Sequence, residues 1–194
     1  MPRSSVPPTL KLVAVASIVA MLSACSVYAF QERRLRHKIE RAGLTEQVLE
    51  ASGTRVRYWE GGKADGETVL LLHGFGGDGM FLWHPQVKPL TREFRVVMPD
   101  LVWFGQSTSE STEYNTVFQA QTFVALLDEQ GIDKVHVVGV SYGGLVALEL
   151  ANGWPDRVDK MVIVDSPGHT YSLADYQNLL ESNDIGSVAD LVIP

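Results

Sequence analysis

The chain has 194 residues, enough for one domain with a substantial core and too few for two. Its composition, 45% hydrophobic and 20% charged, is that of an ordinary globular protein. The net charge of −7 is unevenly placed. Residues 1–41 hold seven Lys/Arg against two acids (+5), and residues 42–194 hold nine against twenty-one (−12). The larger part offers no basic surface to phosphates, which excludes nucleic acid as a partner.

Residues 12–30, LVAVASIVAMLSACSVYAF, carry no charge and follow Arg3 and Lys11. A basic start, an apolar stretch and small residues make the layout of a signal peptide. Leu22-Ser23-Ala24-Cys25 resembles the lipobox of bacterial lipoproteins, which implies cleavage before Cys25 and lipidation of that cysteine. The same run is long enough for an uncleaved anchor. In that case the basic flank QERRLRHKIER favours a cytoplasmic globular part. A buried core helix is the third reading. The first two place the protein at a membrane. Cys25 is the only cysteine, so no internal disulfide can form.

Residues 31–50 read as a linker or short amphipathic helix, and 51–170 as the folded core. Thr54–Trp59 alternates as a half-buried strand does, and Thr68–Leu72 is an unbroken apolar run, as in a strand covered on both faces. A helix is predicted near 80–92, a strand over Phe94–Met98 and a helix over 115–130. A strand at Lys134–Val138, a helix at Gly143–Asn152 and a strand at Lys160–Val164 follow. Alternation at this spacing predicts an α/β fold, a mostly parallel sheet with helices on both faces.

In such a sheet, functional groups gather beyond the carboxyl ends of the strands. Residues 135–144, VHVVGVSYGG, place Ser141 between a predicted strand and a predicted helix. Gly-x-Ser-x-Gly alone arises by chance in roughly one chain in twenty of this length. Here it stands in the strand–turn–helix setting of a nucleophile elbow, where Gly139 and Gly143 relieve collisions across the tight turn. An acyl transfer also needs donors for an oxyanion. The N–H of Tyr142 is one candidate, and the N–H of Phe75, in the loop His73-Gly-Phe-Gly-Gly, is the other. A phosphate-binding loop or a plain turn is the alternative for that stretch, but it lacks the spacing of either phosphate motif.

The order LLLHGFGG, VVMPDLVWFGQS, VHVVGVSYGG and MVIVDSPG resembles the α/β-hydrolase fold superfamily over residues 54–170. DLVWFGQS is similar to its Asp-Leu-x-Gly-x-Gly-x-Ser stretch, with Trp103 at the first glycine and Val102 at the usual proline. This variant points to the esterase/lipase-like branch that includes monoacylglycerol lipases and plant carboxylesterase-like proteins. Serine at 141 argues against haloalkane dehalogenases and epoxide hydrolases, which carry aspartate there.

The resemblance implies hydrolysis of carboxylic esters, with lipid-like esters or acylglycerols as substrates. The acyl-enzyme forms at Ser141, without metal or organic cofactor. Phe81, Trp83, Trp103 and Phe104 are candidates for an acyl pocket or for core packing. A carbon–carbon bond hydrolase and a non-catalytic binding module of the same fold remain open.

The family order is Ser, then acid, then His. His169 comes too early for the base, and His37, His73, His84 and His136 precede the serine. In the family the histidine at position 73 is structural. Asp100 reads as structural and Asp165 as a weak candidate acid. The acid and base are therefore expected beyond residue 194, with 171–194 opening a cap region. As it stands, the chain is expected to expose its last apolar strand, to be poorly soluble and to lack esterase activity.

Overall fold

The computed structural model describes residues 27–167. Cys25, His169 and the expected cap region lie outside that range. Helix α1 spans residues 27–41. Strands β1 (Leu44–Ala51) and β2 (Thr54–Gly62) then form an antiparallel hairpin. Its two-residue turn, Ser52-Gly53, has φ of 50° and 73°, the pair of positive angles that a twisted hairpin favours. Next come β3 (Thr68–Leu72), α2 (Gly79–Leu90), β4 (Arg95–Pro99), β5 (Thr108–Ser109) and α3 (Thr116–Glu129). They are followed by β6 (Val135–Val140), α4 (Tyr142–Gly153) and β7 (Val158–Val164). The sheet order is β1-β2-β4-β3-β6-β7, with β5 paired to β2. The pairs β3/β4, β3/β6 and β6/β7 are parallel, whereas β2/β4 is antiparallel.

The alternation of β3 explains the layering. Leu70 and Leu72 enter one core with Phe123 and Leu126 of α3 and Val146 and Leu150 of α4. Val69 and Leu71 enter a second core with Met80, Trp83 and Val87 of α2 and Ile39 of α1. Successive side chains of a strand point to opposite faces, so an all-apolar strand requires helices on both. At the outer edge, β7 leaves Met161, Val162 and Val164 exposed by 37%, 53% and 38%. That is the expected apolar edge among the described residues.

Two elements differ from the sequence reading. The stretch 31–50, read as a linker or short amphipathic helix, is helix to residue 41, and its second half is β1. LTEQVLEA has little apolar periodicity because one face meets water and only Leu44 is fully buried. Pairing of all eight residues with β2 holds it instead. The two-residue β5 likewise has no pattern long enough to read.

A buried ion pair fixes the carboxyl end of β4 relative to β2 and α2. Asp100 accepts from Arg57 Nε and Nη2 at 2.7 and 2.6 Å, from the Gln106 N–H at 2.8 Å and from the Gly79 N–H at 3.1 Å. Both side chains are almost fully buried. Gly105, at φ +54°, passes so close that a Cβ there would lie 2.1 Å from Asp100 Oδ2. With its oxygens committed in this way, Asp100 is a structural carboxylate. Removing Asp100 strips the buried Arg57 of its hydrogen-bonded partner and leaves only Glu46 and Asp78, at 3.6 and 3.9 Å, so Asp100→Ala is expected to cost about 3–5 kcal/mol. Exposed Glu113→Ala should stay within about 0.5 kcal/mol. Denaturant midpoints of the two variants check this.

Candidate active site

Ser141 stands between β6 and α4 with φ 51° and ψ −118°, in the left-handed half of conformational space. A non-glycine residue holds such a backbone at a cost of order 1–3 kcal/mol, and only where its surroundings impose it. Here the imposing contacts are visible. The Ser141 N–H donates to the Val164 carbonyl of β7 at 3.0 Å. Its carbonyl accepts from the Gly144 N–H at 2.9 Å and from the Ser166 hydroxyl at 2.8 Å. Its own hydroxyl makes no capping bond and has no hydrogen-bond partner among the described residues.

The flanking glycines are required sterically. A Cβ on Gly139 would lie 2.4 Å from the Gly143 carbonyl oxygen, and one on Gly143 would lie 2.4 Å from the His73 carbonyl oxygen. At Gly144 the obstacle is Ser166, 2.6 Å away. α4 is thus drawn against the end of β3, and Gly74 faces Ser141, whose Oγ would lie 3.9 Å from an added Cβ. As the first residue of α4, Tyr142 has an N–H of the kind a helix leaves without an internal acceptor. Phe75 follows Gly74 in the loop that faces the serine. The arrangement joins an unpartnered hydroxyl to the positive end of a helix dipole, a setting suited to developing negative charge.

The loop is pinned by His73, which is fully buried. Its Nδ1–H donates to the Gly74 carbonyl (2.7 Å), and its Nε2 accepts from the Leu101 N–H (2.9 Å). Those partners assign the neutral tautomer. Burial lowers its pKa, outweighing the opposing pull of the Gly74 hydrogen bond and of the Asp100 carboxylate. With both nitrogens occupied, His73 is a structural residue of the loop.

Aromatic side chains of the loop that faces the serine and of the first turn of α4 pack together in a way the sequence did not disclose. Phe75, 79% exposed, packs edge-on against Phe104 at 5.1 Å and Tyr142 at 6.3 Å. Phe104 and Tyr142 are 6.1 Å apart, and His73 meets Phe104 at 5.8 Å. Of the four candidate pocket residues, only Phe104 joins this group. Trp83 belongs to the core beneath α2, and Phe81 lines a groove beside α1. Trp103 stacks on Tyr114 and Phe118 and stands at φ 69°, a left-handed backbone at the position where the similar motif has glycine. Burial raises the pKa of the Tyr142 phenol, keeping it protonated.

Among the described residues, no histidine or carboxylate reaches the Ser141 hydroxyl. Asp165 follows β7 at φ 44° and is exposed. His84 lies on α2, bonded to the Phe81 carbonyl, and His37 lies on α1 beside Glu40. His136 does meet carboxylates, Glu67 at Nε2 and Asp159 at Nδ1, each at 3.2 Å. That cluster is near the amino end of β6, five residues or about 16 Å from the serine at ~3.3 Å per residue. Its donor atoms lie within 4.8 Å of one another, a spacing compatible with a metal ion. The carboxylates face opposite ring nitrogens, however, and only Nε2 is hydrogen-bonded, to Glu67; Nδ1 has Asp159 nearby but no hydrogen-bond partner.

The chain belongs to the α/β-hydrolase fold family, whose profile, described as alpha/beta hydrolase fold, matches residues 67–181. RutD of Caulobacter sp. strain K31, named for carbamate hydrolysis, is 42% identical over 106 residues, covering 54% of this chain and 39% of that protein. Among solved structures, a membrane phospholipase A described as a bacterial virulence factor superposes with a TM-score of 0.69 at 29% identity, covering 90% of this chain and 56% of that one. A serine hydrolase of Cycloclasticus zankles gives 0.62 at 29% identity, covering 67% and 48%. The chain spans 34–40% of the length of the curated relatives it matches.

Two predictions follow from the turn and the loop. Gly143→Ala, which drives a Cβ into backbone, should prevent accumulation of soluble protein. Gly76→Ala meets no atom within 4 Å and pays only for φ +76°, so it should cost about 1 kcal/mol in urea unfolding. His73, neutral when folded, binds its proton more readily when unfolded. Its contribution is therefore present above about 6.5, the ordinary imidazole value, and is lost as pH falls below it. Urea midpoints measured from pH 7.5 to 5 should fall, and the fall should be shallower in His73→Asn.

Proposed function

We propose that the protein is a serine hydrolase of carboxylic esters with an apolar acyl group, acting through an acyl-enzyme at Ser141. The observation that carries this reading is the unpartnered hydroxyl held at positive φ, at the head of α4. Ser141 Oγ attacks the acyl carbon while its proton passes to a base. The N–H groups of Tyr142 and Phe75 hold the oxyanion, the alcohol leaves with a proton, and water then releases the acid. No metal or organic cofactor takes part. The base and its orienting acid come from residues outside the described range, in the family's Ser–acid–His order.

The cluster of Phe75, Phe104 and Tyr142 supports an apolar acyl group, because three rings packed together on the Gly74 loop and next to Ser141 in the chain offer surface to hydrocarbon rather than to charge. The names of the phospholipase and the serine hydrolase agree with that class of substrate and nucleophile. The uncharged run at 12–30 and the basic residues after it support a membrane location, as a lipoprotein at Cys25 or through an N-terminal anchor. Among the described residues no helix is long and apolar enough to cross a membrane.

The test uses the protein as its host produces it, treated with a fluorophosphonate probe and with p-nitrophenyl esters of increasing chain length. Labelling should map to Ser141, and Ser141→Ala should lower ester turnover by at least a thousandfold with unchanged thermal stability. A folded protein that neither labels nor turns over would sink the hydrolase reading and leave a binding module.

A further inference from the structure

α1 carries a row of cations that the fold does not use. Arg34, Lys38 and Arg41 follow one another at i, i+4 and i+7, and so share one face of the helix. All three are exposed, and none has an ion-pair or hydrogen-bond partner among the described residues. Arg36 is bound to Glu46 and lies over Trp59, and His37 is beside Glu40, whereas Arg33 is exposed like the three but lies off their face and lines no part of the groove.

The three line an open groove of about 550 Å³ between α1 and α2, together with Gln31, Phe81 and His84 and with no carboxylate in the lining. Phe81 exposes 64% of its surface there. One to two turns toward the N-terminus of α1, Val27, Tyr28 and Phe30 are exposed by 58%, 67% and 67%. They are among the last residues of the uncharged run 12–30. Going along α1, apolar side chains therefore give way to unpaired cations, the order met when passing from the acyl chains of a bilayer to its phosphates.

We infer that the α1/α2 groove seats the headgroup of an anionic phospholipid. The phosphate lies among Arg34, Lys38 and Arg41, and Phe81, Tyr28 and Phe30 contact the glycerol and upper acyl region. Charge complementarity and that apolar-to-basic order favour a lipid over a soluble anion, for which the exposed aromatics would have no use. Lys and Arg next to an anionic surface each contribute roughly a fivefold gain in association, so the three together give on the order of a hundredfold. The inference concerns a face distinct from Ser141 and does not depend on ester hydrolysis.

Native mass spectrometry of the full chain in neutral detergent tests it, with equal amounts of phosphatidylglycerol and phosphatidylcholine added. The wild type should retain phosphatidylglycerol at least tenfold over phosphatidylcholine. The variant R34Q/K38Q/R41Q should lose that preference, while R33Q, off the groove, keeps it. Melting temperatures identical to wild type show that the variants are folded. Equal retention of the two lipids by the wild type would overturn the proposal, as would an unchanged preference in the triple variant. A third result would overturn the lipid assignment in favour of a soluble anion. This is displacement of phosphatidylglycerol by glycerol 3-phosphate at equimolar concentration.

Discussion

The site depends on one steric constraint, the approach of α4 to the end of β3. With hydrogens in place of side chains at Gly139 and Gly143, backbone meets backbone at distances no Cβ allows. The approach forces the chain from β6 into α4 within one residue, and that residue is Ser141. Its positive φ is therefore a consequence of the packing around it. The same compression sets the first N–H of the helix beside the serine and brings the His73–Gly74 loop against it. A looser turn would free the serine backbone and move the hydroxyl away from both.

Around this turn, most polar groups at the carboxyl ends of the strands are already engaged. Asp100 accepts from Arg57 and two backbone N–H groups, His73 has a partner on each nitrogen, and Ser107 bridges the Arg57 N–H to the Asp100 carbonyl. Gln119 likewise satisfies both the N–H and the carbonyl of Val102. These groups hold the loops in which Phe75, Phe104 and Trp103 sit. Against that background, the Ser141 hydroxyl, without a hydrogen-bond partner among the described residues, stands out because its neighbours are consumed by structure. A buried polar network that satisfies itself rigidifies what it surrounds.

What could be read in advance follows from the range of the interactions. β3 was legible to the residue, because burial on both faces makes Val69 to Leu72 apolar without interruption, and the helix over 115–130 matches α3. The serine turn was legible because its glycines answer a local collision. β1 was not, since its order comes from pairing with β2 and its outer face is polar. The aromatic cluster was also hidden. Phe75, Phe104 and Tyr142 are separated by about thirty to seventy residues, and only the sheet order brings their loops together. Phe81 and Trp83 were grouped with the site by proximity to the loop in sequence, yet α2 turns them toward α1 and the second core.

The uneven charge can be traced to particular contacts in the same way. Along β1 and β2, basic and acidic residues neutralise one another: Arg57 lies among Asp100, Glu46 and Asp78, Arg55 faces Glu50, and Arg95 faces Glu60. Pairs of this kind hold the hairpin to the sheet and leave no net field. On α1 only Arg36 is absorbed likewise, by Glu46; Arg33, Arg34, Lys38 and Arg41 are exposed, because the helix touches the fold chiefly through Leu35, Arg36 and Ile39 and turns its other faces outward. A helix needing only that contact to dock could have had a neutral outer face. Cations there raise the self-energy of the free protein unless an anion lies opposite, and the groove wall supplies none. Their presence is thus better explained by what the helix meets than by how it folds.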